Sequence, residues 1–215
     1  EMNQAIDNFV SEQDAAWYAK LYREKGLIGG HIILLNPEGS EYYDADLAQA
    51  LGALEAFPGG LMIGGGIHSD NAMKFIRAGA SHVIVTSYVF KEGKINFEHL
   101  KAIHESVGRE HLVLDLSCRK KDGLYYIVTD RWQKFTEHVV NEETLNLLAP
   151  YCSEFLIHAV DVEGKASGIE EELASMLGVW DGIPITYAGG VGSLDDVELL
   201  KKLGNRRLDV TIGSA

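Results

Sequence analysis

Residues 61–70 read Leu61-Met62-Ile63-Gly64-Gly65-Gly66-Ile67-His68-Ser69-Asp70, a short apolar run that breaks into three glycines and then into a helix start. A run of this length bounded by a turn signal predicts a buried strand. Consecutive glycines let the backbone take conformations that a Cβ forbids and come close to a ligand. Ser69 or Asp70 is expected to cap the helix that follows. Strand, glycine turn and helix N-terminus together make an anion site, because unpaired N–H groups and the positive end of the helix dipole converge there. A tight strand-to-helix turn with no ligand has the same local sequence.

A second copy favours the anion reading. Ile183-Pro184-Ile185-Thr186-Tyr187-Ala188-Gly189-Gly190-Val191-Gly192-Ser193 repeats the order apolar strand, glycines, serine, and an acidic residue follows. Each copy leads into an amphipathic helix and a further strand that ends on small or hydroxyl residues. The first ends Val83-Ile84-Val85-Thr86-Ser87, the second Leu208-Asp209-Val210-Thr211-Ile212-Gly213-Ser214. Repeats of this kind are the first thing to look for in a chain. Two copies in two halves (about 1–108 and 109–215) predict a duplicated half-structure with two phosphate pockets. The ligand then carries a phosphate at each end.

The rest of the chain is consistent with one domain. Its 215 residues are enough for a large core, and 46% hydrophobic with 24% charged residues is ordinary for a globular protein. A formal net charge of −13 argues against a nucleic-acid groove or an anionic membrane surface, while backbone N–H groups can still bind a small anion locally. Cys118 and Cys152 do not make a disulfide framework and read as inert small hydrophobes. No apolar run is long enough to span a bilayer, and no signal or transit peptide is visible.

In order, the pattern predicts a polar loop to about Ser11, then helices over about 14–25, 44–56, 71–78, 97–107, 142–149, 169–177 and 194–203. Seven main strands fall near residues 31, 61, 83, 112, 155, 185 and 209, with an extra hairpin arm over 124–129 turned at Asp122-Gly123. Strict strand-helix alternation with continuously apolar strands predicts a parallel sheet buried on both faces. A doubly wound sheet and a (β/α)8 TIM barrel both have this alternation. The duplication favours the barrel, whose site forms at the C-terminal ends of the strands.

That rule selects the chemistry-bearing residues. Asp115 sits inside the apolar strand Leu112-Val113-Leu114-Asp115-Leu116-Ser117, where an isolated charge is costly. A general acid or base is expected there, the alternative being an ion pair with Arg119 or a lysine. His158 ends another strand and precedes Asp161 and Glu163; a satisfied core histidine is the alternative to a pocket residue. Trp132, in a polar loop, could stack on a flat heterocycle or pack on the barrel rim. No cysteine or histidine cluster has zinc spacing, so no metal is expected.

These stretches resemble the histidine-biosynthesis isomerase family in its plant and fungal form. The resemblance rests on Phe9-Val10-Ser11 with Tyr18-Ala19-Lys20-Leu21-Tyr22, Gly64-Gly65-Gly66-Ile67, Val83-Ile84-Val85-Thr86-Ser87, Asp115-Leu116-Ser117-Cys118-Arg119-Lys120, Glu154-Phe155-Leu156-Ile157-His158, Asp161-Val162-Glu163-Gly164, Tyr187-Ala188-Gly189-Gly190 and Gly213-Ser214, and covers essentially the whole chain. It implies a (β/α)8 TIM barrel that carries out a cofactor-free Amadori rearrangement of an aminoaldose ribotide to an aminoketose. It assigns Asp115 as one of two catalytic aspartates. It assigns Gly65, Gly66, Thr86 and Ser87 to one phosphate of a bisphosphorylated ribotide, and Gly189, Gly190, Gly213 and Ser214 to the other. Arg119, Trp132, His158 and Asp161 would line the pocket. The family also begins with a strand carrying the other aspartate and ends with a helix; neither is found in the 215 residues. The expectation is therefore a barrel lacking its first strand and last helix, with little activity of its own, and a monomer of the cytoplasm or plastid stroma. The rival readings are the related cyclase-type barrel, which needs ammonia, and a non-catalytic sugar-phosphate-binding barrel.

Overall fold

The computed structural model describes residues 11–165 and 167–213. Phe9, Val10 and Ser214, on which expectations rest, lie outside the described residues. The first helix, α1 (Ala15–Glu24), starts at Asp14, whose carboxylate accepts the Trp17 N–H at 2.7 Å. It leads to β1 (Gly30–Ile33), α2 (Tyr43–Ala56) and β2 (Leu61–Gly64), then α3 (Ser69–Arg77) and β3 (His82–Val85). A small hairpin, β4 (Phe90–Lys91) and β5 (Lys94–Ile95), precedes α4 (Phe97–Val107) and β6 (Leu112–Asp115). A second excursion follows: β7 (Cys118–Lys121), β8 (Leu124–Thr129) and β9 (Lys134–Val139). The alternation then resumes with α5 (Glu142–Leu148), β10 (Glu154–His158), α6 (Glu171–Val179), β11 (Ile185–Ala188), α7 (Leu194–Leu203) and β12 (Leu208–Thr211).

Seven of these strands form one sheet in the order β1-β2-β3-β6-β10-β11-β12, every neighbouring pair parallel. Parallel strands must be covered on both faces, and both are. On the outer face Ile63, Val83, Leu112, Phe155, Ile157 and Tyr187 are fully buried in the cluster that the helices complete. On the inner face one residue from each of five consecutive strands, Met62, Ile84, Val113, Leu156 and Ala188, makes a second apolar cluster. The sheet curls around that inner cluster. His31 on β1 and His158 on β10 are four strands apart, about 19 Å in a flat sheet. Yet their rings are near enough for His158 to push down the proton affinity of His31. The fold is thus an α/β layer arrangement with a curled parallel sheet. In the described residues β1 and β12 are its outer strands.

The differences from expectation have local causes. The α3 helix is capped by His68 rather than Ser69 or Asp70. The His68 Nδ1 accepts the Asp70 N–H at 3.4 Å, and Asn71 closes the box by accepting the His68 N–H at 2.9 Å. The hairpin arm at 124–129 has a partner on each side, because β9 pairs with β8. Its sequence, Lys-Phe-Thr-Glu-His-Val, is too polar to announce a strand. The Asp122-Gly123 turn is as expected, both residues having positive φ (+52° and +81°).

Burial inside the curl has a pH consequence. His31 and His82 both have lowered proton affinity, first through burial and then through His158 and His111 respectively. The His82 Nδ1 is buried with no hydrogen-bond partner. A histidine whose folded pKa is depressed favours the native state above its unfolded pKa and withdraws that support as pH falls through it, since the unfolded chain then binds the extra proton. The contribution of these two histidines to the melting temperature should therefore fall from about pH 7.5 to about pH 5.5. His82→Asn should show a smaller fall than the native sequence in the same calorimetric series.

Candidate active site

The C-terminal ends of the strands converge on Asp115. It is the last residue of β6 and points to the inner face, in register with Leu156 of the inner cluster. Two hydroxyls hold its carboxylate. Thr86, just past β3, donates to Oδ2 at 3.0 Å, and Ser117, two residues on, donates to Oδ1 at 2.8 Å. Burial raises the proton affinity of the carboxyl, and His158 on the adjacent strand and the two hydroxyls pull it part of the way back. The balance is a carboxyl poised above the ordinary carboxylate range. The expected alternative, an ion pair with Arg119, is not made. Arg119 donates its Nε to Asp161 at 2.8 Å, and the other Asp161 oxygen accepts the Lys120 backbone N–H, also at 2.8 Å.

His158 and Trp132 close the space beside Asp115. The Trp132 ring stands edge-on to the His158 ring with centroids 4.9 Å apart, and its Nε1 donates to Ser117 Oγ at 3.2 Å. His158 Nε2 lies 2.9 Å from the Glu163 carboxylate, which sits off the axis of a ring N–H. The contact is therefore short but not aligned as a hydrogen bond. It holds the Glu163 carboxyl below its ordinary range.

On either side of Asp115 stands a glycine pair. Gly65 and Gly66 follow β2, two strands to one side; Gly189 and Gly190 follow β11, two strands to the other. All four have positive φ, +92° and +67° in the first pair and +113° and +77° in the second. The first glycine of each pair packs against the carbonyl that follows the neighbouring strand. A Cβ on Gly65 would lie 2.1 Å from the Leu34 oxygen, and one on Gly189 would lie 2.6 Å from the Ala159 oxygen. Each pair runs to a helix N-terminus, α3 capped by His68 and α7 capped by Ser193. Ser193 Oγ accepts the Asp196 N–H at 3.2 Å, and Asp196 in turn accepts the Gly192 N–H at 3.0 Å.

A family model described as "histidine biosynthesis protein" matches residues 4–215. The chain belongs to the histidine biosynthesis protein family. Curated relatives agree. A Medicago truncatula protein is 53% identical over 210 residues, spanning 98% of this chain and 66% of its own length. A Neurospora crassa protein is 46% identical over 211 residues, 97% of this chain and 79% of the relative. One from Saccharomyces cerevisiae is 40% identical over 214 residues, again 97% and 79%. All three are named 1-(5-phosphoribosyl)-5-((5-phosphoribosylamino)methylideneamino)imidazole-4-carboxamide isomerase, the Medicago protein with the addition "chloroplastic". The chain thus spans about two thirds of the plant relative and about four fifths of the fungal ones.

Within this histidine biosynthesis chain most of the expected residues, Ser87 and Gly213 apart, fall into three groups. Asp115, Thr86, Trp132 and His158 are brought together with Ser117. The two glycine pairs flank them. Arg119 and Asp161 engage each other at the edge, with 43% and 31% of their side chains exposed. Ser87 accepts the Asp130 N–H at 3.2 Å. It also lines a cleft of about 440 Å³ between the two hairpins, bounded by Phe90, Gly93, Thr129 and Phe135. Asp115 is not among the residues that line that cleft. Ser117 and Glu163 join this cluster, through Asp115 and His158 respectively. Ser117 was findable, because a residue two positions beyond Asp115 in an extended chain points the same way.

The two cysteines take no part. Burial pushes the Cys152 thiol up to about 12 and the Cys118 thiol higher still, the latter also facing Asp115, Asp161 and Glu170. A thiol reacts as thiolate. An aromatic disulfide reagent at mild alkaline pH should therefore find neither thiol in the native protein and both after unfolding.

Proposed function

We propose that this chain carries the site of an aldose–ketose isomerisation, the Amadori rearrangement of the phosphoribosylformimino aminoaldose ribotide to the phosphoribulosyl aminoketose. The single observation that carries this reading is the placement of Asp115. It stands on the inner face, midway between two glycine pairs of the same backbone geometry. At about 4.8 Å per strand, two strands put each pair about 10 Å from Asp115. A ligand phosphorylated at both ends then has its reacting sugar beside the carboxyl. The shared φ signs and packing of the two pairs also support a duplicated half-barrel, with halves at about 1–108 and 109–215.

The chemistry needs one group that gives a proton and one that takes it. Protonation of the ribose ring oxygen breaks its bond to C1, and the nitrogen lone pair forms the C1=N double bond of a cationic imine. Removal of the C2 proton sends that electron pair into C1=C2 and neutralises the nitrogen. The resulting enol then tautomerises to the C2 ketone as C1 takes up a proton. Asp115, held by two hydroxyls in a partly dry setting, suits one of these proton transfers. We place its counterpart on an eighth strand that closes the ring between β1 and β12, the outer strands among the described residues. No metal or cofactor enters the scheme. We propose a monomer that works in the cytoplasm or plastid stroma, the latter supported by the name of the Medicago relative.

The test is a product assay on the full-length protein with the aminoaldose ribotide and no ammonia. Conversion to the aminoketose supports the reading. Turnover that requires ammonia points to cyclase chemistry, and tight binding without turnover points to a sugar-phosphate sensor; either outcome overturns it.

A further inference from the structure

Trp132 reaches Asp115 through a single hydroxyl. Its indole Nε1 donates to Ser117 Oγ at 3.2 Å, and Ser117 Oγ donates to Asp115 Oδ1 at 2.8 Å. The direction of this relay is fixed by chemistry. An indole N–H can only donate, an ionised carboxylate can only accept, and the serine has one hydrogen to give. Ser117 is fully buried, so no solvent competes for its hydroxyl. A hydroxyl that accepts one hydrogen bond becomes a stronger donor in the next, most of all where water is excluded.

The placement of Trp132 is costly, which argues that its position is held for a reason. Asp130, Arg131 and Trp132 have φ of +53°, +56° and +67°, three consecutive non-glycine residues in the left-handed region. L residues avoid that region singly and do so more strongly in a row. The tip is held from both sides. Asp130 N–H donates to Ser87 Oγ at 3.2 Å, the Asp130 carboxylate pairs with Lys134 at 2.6 Å, and Gln133 N–H donates to the Thr129 carbonyl at 3.1 Å.

We propose that Trp132 is a positioning residue that acts through Ser117 on Asp115, so that docking of the 130–132 tip holds the carboxyl in its proton-accepting form. The proposal rests on Asp115 as the proton-transfer group and adds what sets its readiness. Undocking frees the Ser117 hydroxyl from the indole and lets it turn away, and the carboxyl keeps its proton to higher pH. Beside Ser117 and Thr86, the groups that face Asp115 are His158 on β10, with Glu163 behind it and His31 across from it, and the Cys118 thiol on β7. The Trp132 and His158 rings meet in a T-shaped arrangement. A phenylalanine ring keeps an aromatic side chain there and removes the N–H together with part of the ring, whereas the benzothiophene analogue removes the N–H alone.

The experiment is a carbon-13 titration of the aspartate side chains in the full-length, substrate-free protein, with the Asp115 signal assigned by its loss in Asp115→Asn. The Asp115 midpoint should rise by about half a unit to one unit in Trp132→Phe and in Ser117→Ala, the worth of one lost hydrogen bond. If Trp132→Phe fails to fold, Trp132 is replaced biosynthetically by its benzothiophene analogue, which keeps the ring shape and swaps N–H for sulfur; the same rise is expected. An unchanged midpoint when the N–H alone is removed overturns the proposal, whatever Ser117→Ala does. A residue that only covers the pocket has no use for its N–H. Because the titration is read without turnover, its failure is distinct from failure of the isomerase assay.

Discussion

Asp115→Asn should lower turnover by about 10²–10⁴-fold, the usual worth of a positioned proton-transfer group, and should do so without unfolding the protein. The amide has the shape of the carboxyl but exchanges no proton at the reacting carbon or ring oxygen. Substrate binding should change little, because the glycine pairs assigned to the phosphates lie two strands away on either side. The loss therefore belongs in kcat rather than KM, the mark of an interaction made mainly in the transition state.

The same substitution separates chemistry from stability, and the sign can be worked out. The folded-state proton affinity of Asp115 is raised, chiefly by burial. A raised carboxyl binds its proton in the native state where the unfolded chain has already lost it. Native stability thus declines as pH rises from the unfolded pKa toward the folded one. Asparagine has no charge to desolvate and escapes that penalty, at the cost of turning one of the two hydroxyl donors. At neutral pH the melting temperature of Asp115→Asn should match or exceed that of the native chain. An activity loss under about tenfold, or one that tracks a lowered melting temperature, would take Asp115 out of the proton transfer.

How much of this was readable beforehand follows from what each residue type can signal locally. A carboxylate in the run Leu112–Leu116 announces itself, because burying a lone charge is costly. A glycine pair between an apolar strand and a helix does so too, because few other residues can hold positive φ twice in succession. The alternation of strands and helices gave the parallel sheet and its order of elements, and the helices over 97–107 and 194–203 lie where their periodicity put them. What could not be read was pairing across the sheet. Thr86 was assigned to a phosphate, and its hydroxyl is spent on Asp115, 29 residues away. Arg119 pairs with Asp161, 42 residues on, and the sequence expectation for both as pocket residues carried no sign of that pairing. Polar strand β9 and the left-handed run Asp130-Arg131-Trp132 also escaped notice. The first lacks an apolar face to the core, and the second lacks the glycine or asparagine that usually marks such a turn. In each case tertiary contacts supply what local preference does not.

The glycine turn makes the sharpest physical test, because two adjacent glycines should fail in opposite ways. Gly65 has φ of +92°, and a Cβ there would sit 2.1 Å from the Leu34 carbonyl oxygen and 2.7 Å from its nitrogen. Those are backbone atoms of the segment following β1, whose Leu34 N–H is bonded to the Gly64 carbonyl at 2.9 Å, so they cannot swing aside. Gly65→Ala adds left-handed strain to an overpacked contact, about 2–5 kcal/mol in all. In a chain of this length that lowers the melting temperature by about 5–15 °C. Gly66 has φ of +67° and nothing within 4 Å of its Cβ position. Gly66→Ala carries the strain alone, about 1–2 kcal/mol, and the protein should stay folded at assay temperature. Its new methyl projects into open space beside the turn, where the proposed phosphate approaches the backbone N–H groups. Losing one charge-assisted hydrogen bond to a phosphate weakens binding by about 10–100-fold. Calorimetry and a substrate titration on the two variants separate the effects. Gly65→Ala should lose stability first, and Gly66→Ala should lose affinity with most of its stability kept. If Gly66→Ala binds the bisphosphorylated ribotide as tightly as the native protein, the turn after β2 is only a turn, and the phosphate must be held elsewhere on the strand ends.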